Sequence, residues 1–81
     1  MKVQKFTLII APDPTEEEAD KLYGVIDDGT LVTIADIPQI HFHREAITMD
    51  SAIRSAIADV KSLGLDVLRV EIEPEAIASL A

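Results

Sequence analysis

The chain has 81 residues, a formal net charge of −8 and no cysteine. This length fits a single domain with a thin core, and the lack of cysteine excludes disulfides and thiolate-bound zinc or iron–sulfur sites. The acidic balance, with scattered basic residues, argues against direct nucleic acid binding. The first apolar run, Phe6 to Ala11, is too short for a secretion signal or a membrane helix. We therefore expect a cytoplasmic protein that contacts no membrane.

The first third of the chain predicts a strand and a capped helix. Side chains alternate between two faces from Val3 to Ala11, and Pro12–Pro14 ends the strand because proline cannot donate to a ladder. Thr15 is placed to cap a helix, with Glu18 completing a capping box. Four apolar residues then recur at helical spacing: Ala19, Leu22, Tyr23 and Ile26.

Two strands separated by a short connection are predicted next. A turn at Asp27–Gly29 leads into a strand over Thr30–Ala35, and Asp36–Pro38 connects it to a strand over Gln39–His43. Both faces of the first of these strands are partly apolar, so its inward face stays open. The alternatives are Val32 with Ile34, or Leu31 with Thr33. In the second strand the inward residues are Ile40 and Phe42.

The last third predicts a second capped helix and a final strand. Thr48 caps a helix that runs to Leu63, and Gly64 suits the left-handed position after its end. Residues 67–73 alternate as a strand that Pro74 ends. Its inward residues are Leu68, Val70 and Ile72. We therefore expect one domain over residues 1–74, followed by a tail, or the start of a further helix, over residues 75–81.

The order of these elements, βαββαβ, predicts an α+β fold of the ferredoxin-like class. Right-handed crossovers in both βαβ halves give a four-stranded antiparallel sheet in the order 4-1-3-2, with both helices on one face. The opposite face of the sheet is then bare, and we call it the open face. Its predicted residents are Lys5, Thr7, Ile9, His41, His43, Arg69 and Glu71.

Few residues of the sequence suggest metal binding or catalysis. His41 and His43 share a strand face and are weak candidate metal ligands, with Glu71 the only plausible further ligand. The favoured interpretation is that both histidines are exposed polar side chains on a half-solvated strand. Arg44 and Glu45, which follow the third strand, are interpreted as a surface loop or a cap on the sheet end. No serine, glycine-rich loop or carboxylate pair stands in a pattern typical of catalysis, so we expect neither an enzyme nor a cofactor.

Three stretches carry a family resemblance: Pro12–Asp20, Phe42–Ala46 and Ser51–Val60, the last followed by Gly64-Leu65 and a strand. Together they resemble the N-terminal domain of small bacterial proteins that carry a helix-turn-helix after this domain. The resemblance implies a regulatory or antitoxin-like accessory role, with DNA contacted by the downstream helices. The helix-turn-helix would begin near Glu75 to Ala81. The DNA-contacting positions of the family therefore have no matching residues in this sequence, and we assign none.

Together these observations predict a non-enzymatic interaction domain that forms a homodimer or binds a protein partner. Burial of the open face, or extension of an edge strand, would supply the contact. The alternative is a small-molecule or metal-binding module that uses His41 and His43 on the same face.

Overall fold

The computed structural model describes residues 2–72, so the expectations for Glu73, Pro74 and residues 75–81 lie outside the described residues. Within the described range the elements follow the predicted order. They are β1 (Lys2–Ala11), α1 (Glu16–Val25), β2 (Gly29–Ile34), β3 (Ile37–Ala46), α2 (Met49–Ser62) and β4 (Asp66–Glu71). Neither helix in this range is long and apolar enough to span a bilayer.

The four strands form one antiparallel sheet in the order β2-β3-β1-β4. This is the predicted order 4-1-3-2 read from the other edge, so the predicted α+β class and strand order are confirmed. The two central strands, β1 and β3, pair from Lys2–Ala46 to Ile9–Gln39. β2 and β4 form the two edges of the described sheet.

Side-chain caps define the helix ends as predicted. The Thr15 hydroxyl accepts from the Glu18 N–H at 3.2 Å, and the Glu18 carboxylate accepts from the Thr15 N–H at 3.1 Å, which completes the capping box. The Thr48 hydroxyl accepts from the Ser51 N–H at 3.1 Å. Gly64 has a φ of +84°, the left-handed conformation that ends α2 at little steric cost.

The connection between β2 and β3 is tighter than predicted. Ile34 pairs with Ile37, so the loop has two residues, Ala35 and Asp36, both with positive φ. The prediction that Asp36–Pro38 is a connection is therefore wrong. Pro38 lies within β3, and the β1–β3 ladder ends one residue after it, at Gln39, because proline has no N–H to donate.

This turn makes a testable prediction about stability. Two-residue hairpin turns with positive φ at both positions favour Asn-Gly, whereas alanine there is strained by about 1 kcal/mol. We expect the double substitution Ala35→Asn with Asp36→Gly to raise the free energy of unfolding by about 1–2 kcal/mol, measured by urea denaturation. The control Asp13→Gly, at an exposed loop position without positive φ, should bring no gain. An unchanged or lowered stability of the double variant would contradict this reading of the turn.

One cluster of buried side chains fills the space between the sheet and the helices. β1 and β3 contribute alternating residues, and both helices contribute to the same cluster. Its members are Phe6, Leu8, Ile10, Leu22, Ile26, Ile40, Phe42, Met49, Ala52, Ala56, Val60 and Leu65. Leu31 packs against the cluster and pairs with Ile40. The inward face of β2 is therefore the one that carries Leu31 and Thr33.

The last strand departs from its predicted alternation. The register with β1 shifts between Ile9, which pairs with Arg69, and Ile10, which pairs with Val67. The extra residue, Leu68, is a bulge and is 64% exposed. The prediction that Leu68 points inward is therefore wrong, since Val67 takes the place beside the core.

Candidate functional site

The register places the seven predicted open-face residues on the side of the sheet opposite the core. Lys5 lies opposite His43, and Thr7 lies between His41 on β3 and Glu71 on β4. Ile9 lies between Gln39 and Arg69. Because alternate residues of a strand share a face, these side chains lie on one side of the sheet. Ile9 is buried there and adds no exposed surface.

A shallow depression of about 130 Å³ lies on this surface. The residues that line it are Lys5, Phe6, Thr7, His41, Phe42 and His43. The His41 ring nitrogen Nε2 lies 3.1 Å from the Gln39 amide oxygen, which orients the imidazole. The depression thus combines one ammonium group, two imidazoles and a hydroxyl on a shallow floor.

The depression offers little for a metal ion. Within residues 2–72, no three or more histidine, cysteine, aspartate or glutamate side chains are grouped so that they could hold one. Glu71, the further ligand suggested by the sequence, is separated from His41 by β1, which is two strand spacings or about 10 Å. Glu71 also accepts a bond from Arg69 at 3.2 Å.

The open face also has an apolar end that the sequence interpretation missed. The alternation of β2 and β3 places Val32, Ile34 and Ile37 on this face. Leu68, the bulged residue next to Arg69 in β4, is exposed at the same end of the sheet. We call these four residues the apolar end. Ile34, Ile37 and Leu68 are 54%, 40% and 64% exposed. Ile9, the neighbour of Arg69, is buried on the same side of the sheet.

The open face is less acidic than the rest of the molecule. Its formally charged residues are Lys5, Glu45, Asp66, Arg69 and Glu71. Two are cationic and three are anionic, so the net charge of the face is about −1, whereas the net charge of the whole chain is −8. Two copies can therefore approach each other through this face with less repulsion than through α1, which carries four carboxylates and one lysine.

A second polar cluster lies on the core side of the sheet, around Arg44. The Arg44 guanidinium donates to both carboxylate oxygens of Asp28 at 2.7 and 3.0 Å, and to the Ser55 hydroxyl at 3.0 Å. It also pairs with Asp59 at 3.0 Å and lies 5.1 Å from the centre of the Phe42 ring. The Arg44 side chain is only 13% exposed. The interpretation of Arg44 as a loop residue is therefore wrong, because β3 continues to Ala46.

This cluster perturbs the ionisation of its members. The hydrogen bonds from Arg44 lower the pKa of Asp28 below its ordinary value, against a smaller opposing effect of burial. The carboxylate of Asp28 in turn raises the pKa of Arg44. Because Arg44 contacts two carboxylates and a hydroxyl, it connects β3 with the loop before β2 and with α2. We assign the cluster a structural role.

Tyr23 marks the outer edge of the sheet. Its hydroxyl accepts from the Leu31 N–H at 3.0 Å and lies 3.5 Å from the Leu31 carbonyl oxygen, on the free edge of β2. The sequence interpretation placed Tyr23 in the apolar stripe of α1, yet the side chain is 49% exposed. Helical spacing could not reveal this contact, because it depends on how α1 packs over β2.

Comparisons of the chain with protein-family models, with curated proteins and with solved structures each gave no match.

Proposed function

We propose that this chain is a non-enzymatic interaction domain of a bacterial regulatory or antitoxin-like protein, and that it forms a homodimer through its open face. The observation that carries the proposal is the apolar end, where Ile34, Ile37 and Leu68 expose 40–64% of their surface at one end of the sheet. Isolated exposed apolar side chains are ordinary, but a group rimmed by polar residues is typical of an interface.

The size of the open face supports this assignment. Strands spaced about 4.8 Å apart and rising about 3.3 Å per residue give four strands a flat area on the order of 500–600 Å². Side-chain relief brings the accessible area toward the roughly 800 Å² that each partner contributes to a standard interface. A two-fold axis through such a face brings the same residues together from both copies.

The fold assignment belongs to the same proposal. We assign the domain to the ferredoxin-like class, on the order βαββαβ and the sheet order β2-β3-β1-β4. The resemblance to N-terminal domains that precede a helix-turn-helix motivates the regulatory role. In such a protein a dimer of this domain would set the spacing of two DNA-binding units.

Self-association of the unmodified chain is the first test. We expect light scattering between micromolar and millimolar concentrations to give a mass that approaches twice that of the 81-residue chain. A mass equal to the monomer at every concentration would overturn the homodimer. A monomer that gains a defined partner by pull-down and mass spectrometry would move the proposal to a heteromeric interface.

A small-ligand site is the second candidate, favoured by the depression beside Lys5, His41 and His43. For metal ions we expect calorimetric titration with zinc or nickel to give no saturable heat. Within residues 2–72 no third ligand is grouped with the two imidazoles, and such a pair binds metal weakly. Saturable heat that disappears in both His41→Ala and His43→Ala would contradict this expectation and favour the metal-binding alternative.

A further inference from the structure

Among residues 2–72, the outer edge of β2 has no neighbouring strand, and its outward backbone groups follow a defined pattern. The His43 N–H donates to the Asp28 carbonyl at 2.8 Å, and Ile34 and Ile37 flank the two-residue turn. Even-numbered residues of β2 therefore direct their backbone groups toward β3. The N–H and C=O groups of Leu31 and Thr33 are directed outward, and the Tyr23 hydroxyl covers those of Leu31.

The β2 segment itself suits strand pairing. Residues 30–34 read Thr-Leu-Val-Thr-Ile, with no charge, proline or glycine and with three β-branched types. Such an edge is a template for another strand unless something covers it. Tyr23 covers one residue of the edge with a single hydroxyl, and that hydroxyl belongs to a half-exposed side chain that can rotate away.

The charges around this edge specify the chemistry of a partner. Asp27 precedes β2 and Asp36 follows it, and both are exposed. On α1, Asp20 and Glu16 lie three and seven residues before Tyr23, on the same helical face. The one lysine of α1, Lys21, lies 3.9 Å from Glu17 and does not share that face. An added strand would therefore be flanked by carboxylates at both ends and along the helix.

We propose that the β2 edge is a strand-addition site for an extended basic peptide, with Tyr23 as a displaceable cover. The peptide would pair with the backbone of Leu31 and Thr33, and its lysine or arginine side chains would meet Asp20, Asp27 and Asp36. A second copy of this chain fits less well, because antiparallel pairing of two β2 strands brings Asp27 of one copy toward Asp36 of the other. This site is separate from the open face.

The test uses the full chain and a short blocked peptide of alternating lysine and valine, followed by NMR of the backbone amides. Tyr23→Phe keeps the ring and removes the competing hydroxyl, so we expect the affinity to rise about fivefold, the effect of one net hydrogen bond. The shifts should centre on residues 30–34. Thr33→Pro removes an outward N–H without breaking a bond to β3, and it should abolish binding. A matched peptide of glutamate and valine should not bind.

Three results would overturn the proposal. One is equal binding of the lysine and glutamate peptides, and another is binding by Thr33→Pro at the affinity of the unmodified chain. The third is self-association of Tyr23→Phe that is tighter than that of the unmodified chain, with the added shifts at the outward amides of Leu31 and Thr33, which would assign the edge to a second copy. Should Tyr23→Phe fail to fold, the comparison of the unmodified chain with Thr33→Pro decides the question alone.

Discussion

Replacing Arg44 with alanine is expected to lower the free energy of unfolding by about 2–3 kcal/mol. The substitution leaves the carboxylates of Asp28 and Asp59 without their shared cation, with only 24% and 38% of those side chains exposed. It also removes the guanidinium from the face of Phe42. Because Asp59 is partly solvated, we place the loss below the 3–5 kcal/mol typical of a fully buried pair. Urea denaturation, with both proteins fitted to the same m-value, measures the change in the free energy of unfolding.

The chain offers a matched control for Arg44. Arg54 pairs with Asp50 at 2.9 Å, but these side chains are 79% and 73% exposed. Arg54→Ala should therefore change stability by no more than about 0.5 kcal/mol. Arg44→Lys should restore part of the loss, since lysine keeps the charge but cannot donate two parallel bonds. Equal effects of Arg44→Ala and Arg54→Ala would show that burial of the cluster contributes nothing.

The same cluster predicts a dependence on pH. The pKa of Asp28 is lower in the folded chain than its ordinary value of 3.8. Its contribution to stability is therefore fully present above about pH 4 and is lost as the pH falls through the lower folded pKa. When the pH is lowered below 5, we expect the free energy of unfolding to fall less in Arg44→Ala than in the unmodified chain. Without Arg44, the pKa of Asp28 is no longer lowered in the folded state.

Replacing Leu68 with aspartate is expected to shift the proposed homodimer to monomers, with the dissociation constant raised at least about 100-fold. Leu68 is 64% exposed in the single chain, so the change should leave the fold intact. In the dimer the new carboxylate would be buried at the apolar end, beside the same group of the second copy or near its other apolar residues. Sedimentation equilibrium measures the dissociation constant directly.

The control for Leu68 is Ile47, an isoleucine that is 78% exposed and lies between β3 and α2, outside the open face. Ile47→Asp adds the same charge and removes a similar apolar area, but it should leave the dissociation constant within about twofold. Equal weakening by both substitutions would show that net charge, rather than the open face, controls self-association.

Much of the fold was predictable because its local signals agree with one another. Thr15, Thr48 and Gly64 each act at a helix end through contacts within a few residues, so the sequence shows them directly. The strand order followed from interleaving two βαβ units, and the rule of right-handed crossovers predicted both helices on one face. These features require no knowledge of distant packing.

The errors all depend on contacts between distant residues. Pro38 suggested a loop, but it tolerates its place in β3 because the ladder to β1 stops there. Leu68 fits the alternating pattern of the last strand, which predicted a core position. A one-residue bulge opposite β1 places it at the surface instead. Arg44 looks like a surface charge until Asp28 and Asp59 come together from separate elements.

The candidate site was predicted in part for the same reason. The alternation of β1 and β3 placed Lys5, His41 and His43 on one face correctly. The apolar end was missed, because the extent of β3 and the bulge in β4 both emerge only from strand pairing. The resulting surface is more apolar than the seven predicted residues suggested.

The most direct test of the central claim, self-association through the open face, is an isotope-filtered NMR experiment on a mixture of labelled and unlabelled chains. We expect contacts between copies from the methyl groups of Ile34, Ile37 and Leu68, and none from Val25 or Ile47, which are 52% and 78% exposed elsewhere on the molecule. Contacts between copies that involve Val25 or Ile47 but spare the apolar end, or no such contacts at millimolar concentration, would contradict it.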